Sequence, residues 1–406
     1  MKKKDVLILC QFFYPEYVSS ATLPFEMAKG FIKEGIEVDV ICGYPKEYAL
    51  DEQVPKKEVV EGIGIQRVKY TQLNSKKKVT RLVNFFSFLV AMATKVMKLK
   101  KYKTVIVYSN PPLLPIIPAL TKKLFGFDLV FVAYDIYPEV AILLGATREG
   151  SVIDKVTNKV NQVLYRNTAK VVALSQEMKD YLIKHKPYMT EEKVEVIPNW
   201  YTDKPELKET TIHNQKFRDL KASGKTIILY SGNMGMAQDM QTIIEAAKQL
   251  KDVKEIQFML VGHGCKLNIL REQAERESLH NIEFHEFLHG TEFTDVLKIA
   301  DAYIVSLEKG VEALSVPSKT YSYMAVGRPL LTIMSDQTDI ARDVQNNNIG
   351  FVIKQGEVQK MVQAITTLKE DKQLVVEMSQ RCREVYEQKY TDKICIGKYI
   401  KMIKQL

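Results

Sequence analysis

The sequence predicts an α/β protein with two doubly wound domains, each built on a parallel sheet. Two observations support this prediction: short β-branched runs alternate with helix-length segments along the whole chain, and the runs form two series of about six. Alternation at this spacing is typical of βαβ units, whose sheets carry helices on both faces. With 406 residues the chain is long enough for two or three domains that each bury a core.

The two series of predicted strands indicate the domain boundaries. The first series lies within residues 1–200 and the second within residues 226–385. Residues 201–225 are polar, contain a proline and a glycine, and show no strand pattern, so we expect a linker there. Residues 386–406 have a helical pattern and in this architecture could cross back to the first domain. The predicted strands are DVLILCQFF, VDVICGY, TVIVYSN, LVFVAYD, KVVALS and VEVIPN in the first series, and TIILYSGN, IQFMLVG, IEFHEF, AYIVSL, LLTIMS and GFVI in the second.

The composition argues against several classes of protein. No apolar run reaches the 18 residues that a transmembrane helix needs. The five cysteines are scattered without a CxxC pair, which argues against a zinc ribbon or a disulfide scaffold and favours a reducing cytoplasm. The patterns D-x-D and GxSxG are missing, so we expect neither a metal site nor a serine-hydrolase nucleophile.

The positive charge of the protein is concentrated in its first half. Residues 1–200 contain 30 Lys and Arg against 21 Asp and Glu, a difference of +9, whereas the rest of the chain has 28 of each. Such a surplus suits nucleic acid, a membrane or an anionic substrate. No nucleic-acid-binding module is visible, so we expect no nucleic-acid partner. Nine of the basic residues and no acidic one lie within residues 76–103, namely Lys76, Lys77, Lys78, Arg81, Lys95, Lys98, Lys100, Lys101 and Lys103.

These basic residues flank an uncharged apolar stretch, Leu82–Thr94, which is too short to span a bilayer. Two interpretations remain open. A helix lying in the membrane interface would place its lysines beside anionic headgroups and insert Phe85, Phe86, Phe88 and Leu89 at the acyl boundary. Alternatively, the stretch is a core helix with solvated ends.

Two glycine turns follow predicted strands of the second domain. In SGNMGMAQD, Gly232, Asn233 and Gly235 precede a helical segment whose unpaired N–H groups suit a diphosphate. In VGHGCK, Gly262 comes directly before His263. Turns that merely redirect the chain are the alternative in both cases.

The segment VPSKTYSYMAVGRP gives a stronger indication of an anion site. Pro317 suits the first position of a helix, Ser318 and Lys319 follow in its first turn, and Gly327 ends it. A lysine at a helix N-terminus is unfavourable for the helix dipole, and a bound anion would remove that conflict. We therefore expect Lys319 to bind phosphate, exposed in a cleft, with Glu312 on the preceding loop. A solvated surface charge is the alternative.

Two carboxylates follow a predicted strand of the first domain in the segment DIYPE. Asp135 stands at the end of the strand LVFVAY, and Glu139 is four residues further on. Because ligands of parallel sheets bind at the carboxyl ends of strands, this pair could perform acid–base work or bind hydroxyl groups. Helix capping by Asp135 is the alternative.

Together these segments resemble the family-4 glycosyltransferases of the GT-B class, which transfer sugars from nucleotide donors with retention of configuration. The likeness runs nearly end to end and rests on FYPEYVSSAT, IPNW, YSGNMG and PSKTYSYMAVGRP. DIYPE and PSK are most similar to the branch that builds capsular polysaccharide and O-antigen, whose best-known members transfer N-acetyl-fucosamine. The chain departs from the pattern at Tyr134, where many relatives have His, and at Ser322, where many have a ribose-binding Glu.

The resemblance implies two Rossmann-like domains facing across a cleft and a metal-independent, cofactor-free hexosyl transfer. Asp135 and Glu139 would hold or deprotonate the acceptor hydroxyl, Glu312 would bind the donor sugar, and Lys319 would stabilise the leaving diphosphate. The acceptor would be a glycan on a polyprenyl diphosphate carrier, reached from the cytoplasmic face of the membrane through residues 76–103. The nucleotide-sugar donor would contact Gly232, Asn233, Gly235, Gly262, His263, Pro317, Ser318, Lys319 and Ser322.

Two other enzyme classes share parts of this pattern. A nucleotide-sugar 2-epimerase has the same architecture and binds the same kind of donor, but it would not need a basic apolar segment and would turn its donor over without an acceptor. A dinucleotide-binding dehydrogenase would need GxGxxG after the first strand, and the first loop, QFFYPEYVSS, contains no glycine. We therefore keep the epimerase as the alternative and reject the dehydrogenase.

Overall fold

The computed structural model describes residues 3–45, 53–74 and 78–406, and the chain divides into two compact units. Unit 1 comprises Met1–Asn199, Leu314–Val316 and Asp392–Leu406, and unit 2 comprises Trp200–Ala313 and Pro317–Thr391. Each unit has its own sheet, and each sheet carries its own apolar core.

Unit 1 contains eight strands within the described ranges. They are β1 (Lys4–Leu9), β2 (Val38–Gly43), β3 (Lys57–Val60), β4 (Ile63–Val68), β5 (Tyr102–Tyr108), β6 (Asp128–Ala133), β7 (Lys170–Ala173) and β8 (Val194–Val196). They form one sheet in the order β3-β4-β2-β1-β5-β6-β7-β8, parallel throughout except for the antiparallel pair β3 and β4. The central strands are almost continuously apolar, because helices cover both of their faces.

Helices connect these strands along both faces of the sheet. They are α1 (Ser19–Lys33), α2 (Lys78–Ala93), α3 (Ile116–Phe125), α4 (Glu139–Leu143), α5 (Val152–Asn167) and α6 (Gln176–His185), with a 3-10 helix at Val96–Lys101. Ser151 begins α5 by accepting a hydrogen bond from the N–H of Asp154 at 3.2 Å, and Ser175 caps α6 in the same way.

Unit 2 repeats this architecture with a sheet that is parallel throughout its described strands. Its elements are α7 (Pro205–Lys208), α8 (Gln215–Ala222), β9 (Thr226–Asn233), α9 (Gln241–Gln249), β10 (Ile256–His263), α10 (Leu267–Arg276), β11 (Ile282–His285), α11 (Gly290–Ile299), β12 (Ala302–Ser306), α12 (Lys319–Val326), β13 (Leu330–Ile333), α13 (Asp339–Asn346), β14 (Gly350–Ile353), α14 (Val358–Glu370) and α15 (Lys372–Lys389). The strand order is β11-β10-β9-β12-β13-β14. The order reverses between β9 and β12, where doubly wound sheets hold their ligands.

The last helix, α16 (Asp392–Lys404), belongs to unit 1. It packs against α1, where Ile396 lies so close to Gly30 that a Cβ on Gly30 would be 2.6 Å from its Cγ2 atom. The helical segment expected at residues 386–406 is therefore divided between two helices, α15 and α16, of which only α16 lies in unit 1.

The predicted α/β class with two doubly wound domains is confirmed, but two strands of unit 1 were missed. β3 lies at the sheet edge with alternate residues exposed, and β4 carries Gly64, Gln66 and Arg67 within six residues. Neither gives the continuous apolar run by which the other strands are recognised.

The segment expected to be a linker, residues 201–225, contains α7 and α8 and lies in unit 2. The buried carboxylate of Asp295 in α11 accepts hydrogen bonds from the N–H groups of His213 and Asn214, at 2.7 and 2.8 Å. Its polar sequence therefore reflects short surface helices that are attached to the domain.

Candidate active site

Three loops of unit 2 are bonded together beyond the carboxyl ends of β9, β10 and β12. The N–H of Met234 donates to the carbonyl of His263 at 2.6 Å, and the N–H of Lys266 donates back to Met234 at 3.0 Å. The N–H of Glu308, which follows β12, donates to the carbonyl of Ala237 at 2.8 Å. These bonds fix the loops at the point where the strand order reverses, the expected ligand position.

The glycines of the two predicted turns are explained by close backbone packing. Gly232, Gly262 and Gly264 have φ angles of 141°, 139° and 140°, which residues with side chains rarely adopt. A Cβ on Gly262 would lie 2.0 Å from the carbonyl oxygen of Gly232, and one on Gly264 would lie 2.4 Å from that of Met234. The backbone at Gly262 therefore leaves no room for a side chain, and its contact with the donor stays a prediction.

Gly232 has a different neighbour, because a Cβ there would lie 3.1 Å from the Nζ atom of Lys319. Lys319 is the first residue of α12, and its ammonium lies 3.6 Å from the centroid of the Tyr230 ring. The ammonium is buried, and it has no hydrogen-bond partner among the described residues. The expectation that Lys319 would be exposed is therefore wrong: its side chain folds inward against β9.

Burial lowers the pKa of the Lys319 ammonium to about 7. No acid contributes to this shift, since desolvation is its cause. A cation that is buried without a counter-ion is costly, and an anion bound beside Gly232 would remove the cost. The position of Lys319 thus points to an anionic ligand.

The helix after the first glycine turn is a poorer anion site than the sequence suggested. The buried carboxylate of Asp239 accepts from the N–H of Thr242 at 3.1 Å, so it already caps the first turn of α9. The N–H of Gly235 donates to the side chain of Gln238 at 3.1 Å. Asn233 is exposed at the end of β9, and its carbonyl accepts from the Tyr230 hydroxyl at 2.6 Å.

The start of α12 differs slightly from the prediction. Pro317 lies just before the capping residue Ser318, so the helix begins at Lys319 itself. Gly327 ends it in the left-handed conformation with a φ of 73°, as expected. The hydroxyl of Ser322 is directed at its own helix and donates to the carbonyl of Lys319 at 2.8 Å. Donor contacts by Pro317, Ser318 and Ser322 stay predictions.

Glu312 lies near the carboxyl ends of β13 and β14. One of its oxygens accepts from the N–H of Gly310 at 2.6 Å. The other accepts from the side chain of Gln355 at 2.9 Å and from the N–H of Ser335 at 3.4 Å. A sugar hydroxyl at Glu312 would join or replace these bonds, so its role in sugar binding stays a prediction.

A lysine–glutamate pair at the same edge of the sheet was not singled out by the sequence analysis. Lys266 Nζ lies 2.8 Å from Glu308 Oε1 and also donates to the carbonyl of Gln238 at 2.6 Å. Each residue follows a predicted strand end by only a few positions, which is the signal that could have found the pair. His263, nearby on β10, is exposed, and its ring lies 5.6 Å from that of Phe287.

In unit 1, Asp135 lies just beyond the carboxyl end of β6. The N–H groups of Tyr134 and Asp135 both donate to the Ser109 hydroxyl, at 3.0 and 3.1 Å. Burial raises the pKa of the Asp135 carboxyl, and a hydrogen bond with Ser315 opposes this shift in part. A carboxyl with a raised pKa at a strand end is suited to proton transfer.

Glu139 and Tyr134 are more constrained than Asp135. Glu139 begins α4 and forms an ion pair with the buried Lys186. The second carboxylate oxygen of Glu139 is buried and has no partner in the part of the chain described.

The ring of Tyr134 lies 4.9 Å from that of Tyr108, and burial raises the pKa of the Tyr134 phenol well above the usual range. Tyr134 therefore stays protonated at neutral pH and cannot act there as a base.

Two family models match the chain in succession. Residues 21–203 match the family described as Glycosyltransferase Family 4, and residues 211–385 match the family described as Glycosyl transferases group 1. The chain is a glycosyltransferase. Both domain models name glycosyl transfer, and neither supports the epimerase alternative.

Two curated proteins are similar to this glycosyltransferase. The probable glycosyltransferase WbjE of Pseudomonas aeruginosa is 24% identical over 285 residues, which cover 70% of each chain. The putative colanic acid biosynthesis glycosyl transferase WcaI of Escherichia coli K12 is 26% identical over 327 residues, 77% of this chain and 79% of WcaI.

The glycosyltransferase also resembles solved structures over its whole length. HepE of Anabaena, solved with UDP and glucose, superposes with a TM-score of 0.74 at 15% identity, covering 99% of this chain and 100% of HepE. This likeness concerns the fold, and it confirms the GT-B architecture that the sequence implied.

Within the basic segment of the glycosyltransferase, residues 78–103 form α2, the 3-10 helix and the start of β5. Phe88 is fully buried and Leu89 packs against the core, so the expectation that both would face lipid is wrong. No helix in the described ranges is both long and apolar enough to cross a membrane. Lys76 and Lys77 lie outside the described residues.

The outer side of α2 nevertheless carries an exposed apolar stripe, which we call the α2 stripe. It consists of Val79, Leu82, Val83, Phe86 and Val90, whose exposed fractions are 71%, 50%, 41%, 54% and 66%. The four later residues follow Val79 by three, four, seven and eleven positions, which places all five on one helix face. Arg81, Lys100 and Lys101 are exposed at the two ends of the segment, whereas Lys98 and Lys103 are engaged by Gln66 and Asp5.

Proposed function

We propose that this glycosyltransferase moves a sugar, with retention of configuration, from a nucleoside-diphosphate sugar to a lipid-linked glycan in the synthesis of a surface polysaccharide. The observation that carries the proposal is the buried, unpartnered ammonium of Lys319 beside Gly232. The names of WbjE and WcaI, and the UDP bound to HepE, support the same assignment. A donor of the N-acetyl-fucosamine type, as in the branch that the motifs resemble, is part of the proposal.

The donor half of the reaction is assigned to unit 2. As the bond to the sugar breaks, negative charge develops on the β-phosphate, and the Lys319 ammonium meets that charge in a site already stripped of water. The backbone from Gly232 to Gly235 and around Ser318 lines the same place. His263 and Gly262 would face the nucleoside, while Glu312 would hold hydroxyls of the sugar.

The acceptor half is assigned to unit 1. Asp135 is the acid–base residue, because it lies just beyond a strand end and burial raises the pKa of its carboxyl. Glu139 is held by Lys186, so it would orient the acceptor hydroxyl through its second, unpartnered oxygen. Retention follows if the new bond forms on the face from which the diphosphate leaves.

A panel of nucleoside diphosphates and their sugars tests the donor assignment. A ligand at about 100 times its dissociation constant stabilises the native state by roughly 2.7 kcal/mol, which a thermal shift detects easily. We expect at least one nucleotide sugar to raise the melting temperature of the wild type and to be turned over only when an acceptor is present. Epimerisation of the donor without acceptor would instead establish the alternative enzyme class.

We expect EDTA to leave the transferase activity largely unchanged. Lys319 supplies the positive charge that a divalent cation provides in other transferases. In the ranges that the structure describes, no three His, Cys, Asp or Glu side chains come together as metal ligands would. Activity that disappears with EDTA and returns with magnesium or manganese would contradict metal independence.

We further propose that the α2 stripe docks on an anionic membrane. A polyprenyl-linked acceptor is confined to the bilayer, so the enzyme must work at its surface. Exposed Leu82, Phe86 and Val90 would enter the acyl boundary, and Arg81, Lys100 and Lys101 would face anionic headgroups. The stripe lies in unit 1, which is also the unit assigned to the acceptor.

Replacing Leu82, Phe86 and Val90 together with Gln should weaken binding to vesicles containing phosphatidylglycerol by about 100-fold, because three apolar contacts are lost at roughly 1 kcal/mol each. Turnover on a lipid-linked acceptor should fall in parallel, while turnover on a short water-soluble acceptor should persist. Co-sedimentation with vesicles measures the first effect.

The matched control replaces exposed apolar residues of unit 2, Ile269 and Val376, with Gln. This control should bind vesicles like the wild type. If the wild type does not bind vesicles, or if the α2 variant binds as well as the wild type, the stripe has no membrane role.

A further inference from the structure

The ring of Tyr230 is the immediate neighbour of the Lys319 ammonium. Tyr230 is fully buried near the end of β9, and the Nζ atom of Lys319 lies 3.6 Å from the centre of its ring. At this distance the negative face of the ring attracts a cation, most strongly where water is excluded. Among the described residues the ammonium has no hydrogen-bond acceptor, so this face is its compensating contact.

The ring is itself held in place by the turn that the ammonium faces. The Tyr230 hydroxyl donates to the carbonyl of Asn233 at 2.6 Å, one residue beyond Gly232. A second tyrosine, Tyr323 of α12, accepts from the N–H of Ser231 at 2.8 Å and donates to its carbonyl at 3.1 Å. The strand end, the glycine turn and the start of α12 are thus joined around one lysine.

We propose that Tyr230 is a positioning residue for the departing diphosphate: its ring keeps the Lys319 ammonium charged and aimed at the Gly232 turn until the donor binds. This inference rests on the proposed function, because it assumes that Lys319 meets the diphosphate. Without the ring, a buried ammonium with no counter-ion would lose its proton or turn away from the turn.

The groups around Lys319 are compatible with this role. The ammonium lies on the ring of Tyr230, and the hydroxyl of Tyr323 is bonded to Ser231. Burial raises the pKa values of both phenols far above neutral, so neither becomes an anion. The carboxylates on the neighbouring loops are engaged elsewhere: Glu308 pairs with Lys266, and Glu312 accepts from backbone and amide groups. The protonation of Lys319 therefore depends on the ring and on the ligand.

The test measures the affinity for UDP by calorimetry between pH 6 and 9 in the wild type and in variants. At each pH the affinity is divided by that of Lys319→Met, which gives an affinity ratio. GDP, ADP, CDP and dTDP replace UDP in turn if UDP does not bind. The division removes the titration of the nucleotide itself. For the wild type we expect a constant affinity ratio below pH 7 and a roughly tenfold loss per pH unit above it. We call the pH at which the ratio begins to fall the break.

Position 230 is then varied at nearly constant size. Tyr230→Phe keeps the ring and should keep the break near pH 7. Phenylalanine analogues with one to five ring fluorines at this position weaken the negative face stepwise, and should move the break toward acid pH by about one unit in total. Tyr230→Leu should show the same shift of the break if the variant folds. Tyr323→Phe is the control, because it leaves the ring under Lys319 unchanged. It should lower the melting temperature without moving the break.

The outcomes separate this proposal from the proposed function. A break that shifts with fluorination supports the role of Tyr230. A wild-type break that stays fixed through the fluorinated series overturns that role, while leaving Lys319 as the diphosphate ligand. If Lys319→Met binds every nucleotide as the wild type does, or if none binds at all, both proposals fail.

Discussion

Replacing Lys319 with Met is expected to reduce kcat by about 100- to 1000-fold, the usual cost of removing one preorganised group that stabilises a developing oxyanion. The melting temperature should stay the same or rise. The ammonium of Lys319 is buried without a counter-ion, and its lowered pKa means that the folded state disfavours the charged form. A loss of activity with a gain of stability would identify a residue kept for function.

The pH dependence of this stability difference follows from the same pKa. Lys319 titrates near pH 7 in the folded protein and near 10.5 in the unfolded chain. The buried charge therefore lowers the free energy of unfolding by its full amount below pH 7, and this destabilisation fades as the pH rises toward 10.5. Lys319→Met should accordingly be most stabilising at low pH. Lys251→Met removes an exposed charge just after α9 and serves as the control. A Lys319 variant with wild-type turnover would contradict the assignment.

Replacing Asp135 with Asn is expected to reduce turnover by about 100-fold or more, since acid–base residues typically contribute that much. The backbone N–H of Asp135 keeps its bond to Ser109, so the variant should fold. Because burial raises the pKa of Asp135, the wild-type rate should fall at low pH as this carboxylate becomes protonated. The pH profile of Asp135→Asn should lack this fall at acid pH, which we call the acid limb. The pH profile of kcat/KM measures this.

Glu139→Gln is the matched variant for Asp135. It removes a charge four residues away but leaves Lys186 without its ion-pair partner, so stability should fall while turnover drops less than in Asp135→Asn. Turnover that is insensitive to Asp135→Asn, or an acid limb that persists in it, would remove Asp135 from the chemistry.

Much of the fold was predictable, because parallel strands that are covered on both faces leave continuous apolar runs in the sequence. β1 and β9 are clear examples, whereas β3 and β4 escaped because an edge strand and a glycine-containing strand lack that signal. The side of α2 that faces the core was not predictable either. Phe86 and Phe88 have the same chemistry, and only packing makes one exposed and the other buried.

The candidate site was predictable in its positions but not in its environment. The sequence predicted Lys319 at a helix start, where the dipole disfavours a cation, and the structure has α12 begin at that residue; its role in phosphate binding stays a prediction. The sequence could not reveal that the ammonium lies on the ring of Tyr230, since the two residues are far apart in the chain. The fixed position of Glu312, held by Gln355, likewise depends on tertiary structure.

The most direct test of the account is the fate of the sugar itself. Each nucleotide sugar of the panel, labelled in the sugar, is incubated with the enzyme and a lipid-linked glycan, and the anomeric configuration of the new linkage is determined by NMR. We expect transfer to the lipid-linked glycan with the configuration of the donor, and we expect Lys319→Met to lose this transfer. Transfer with inverted configuration, or equal transfer by Lys319→Met, would contradict it.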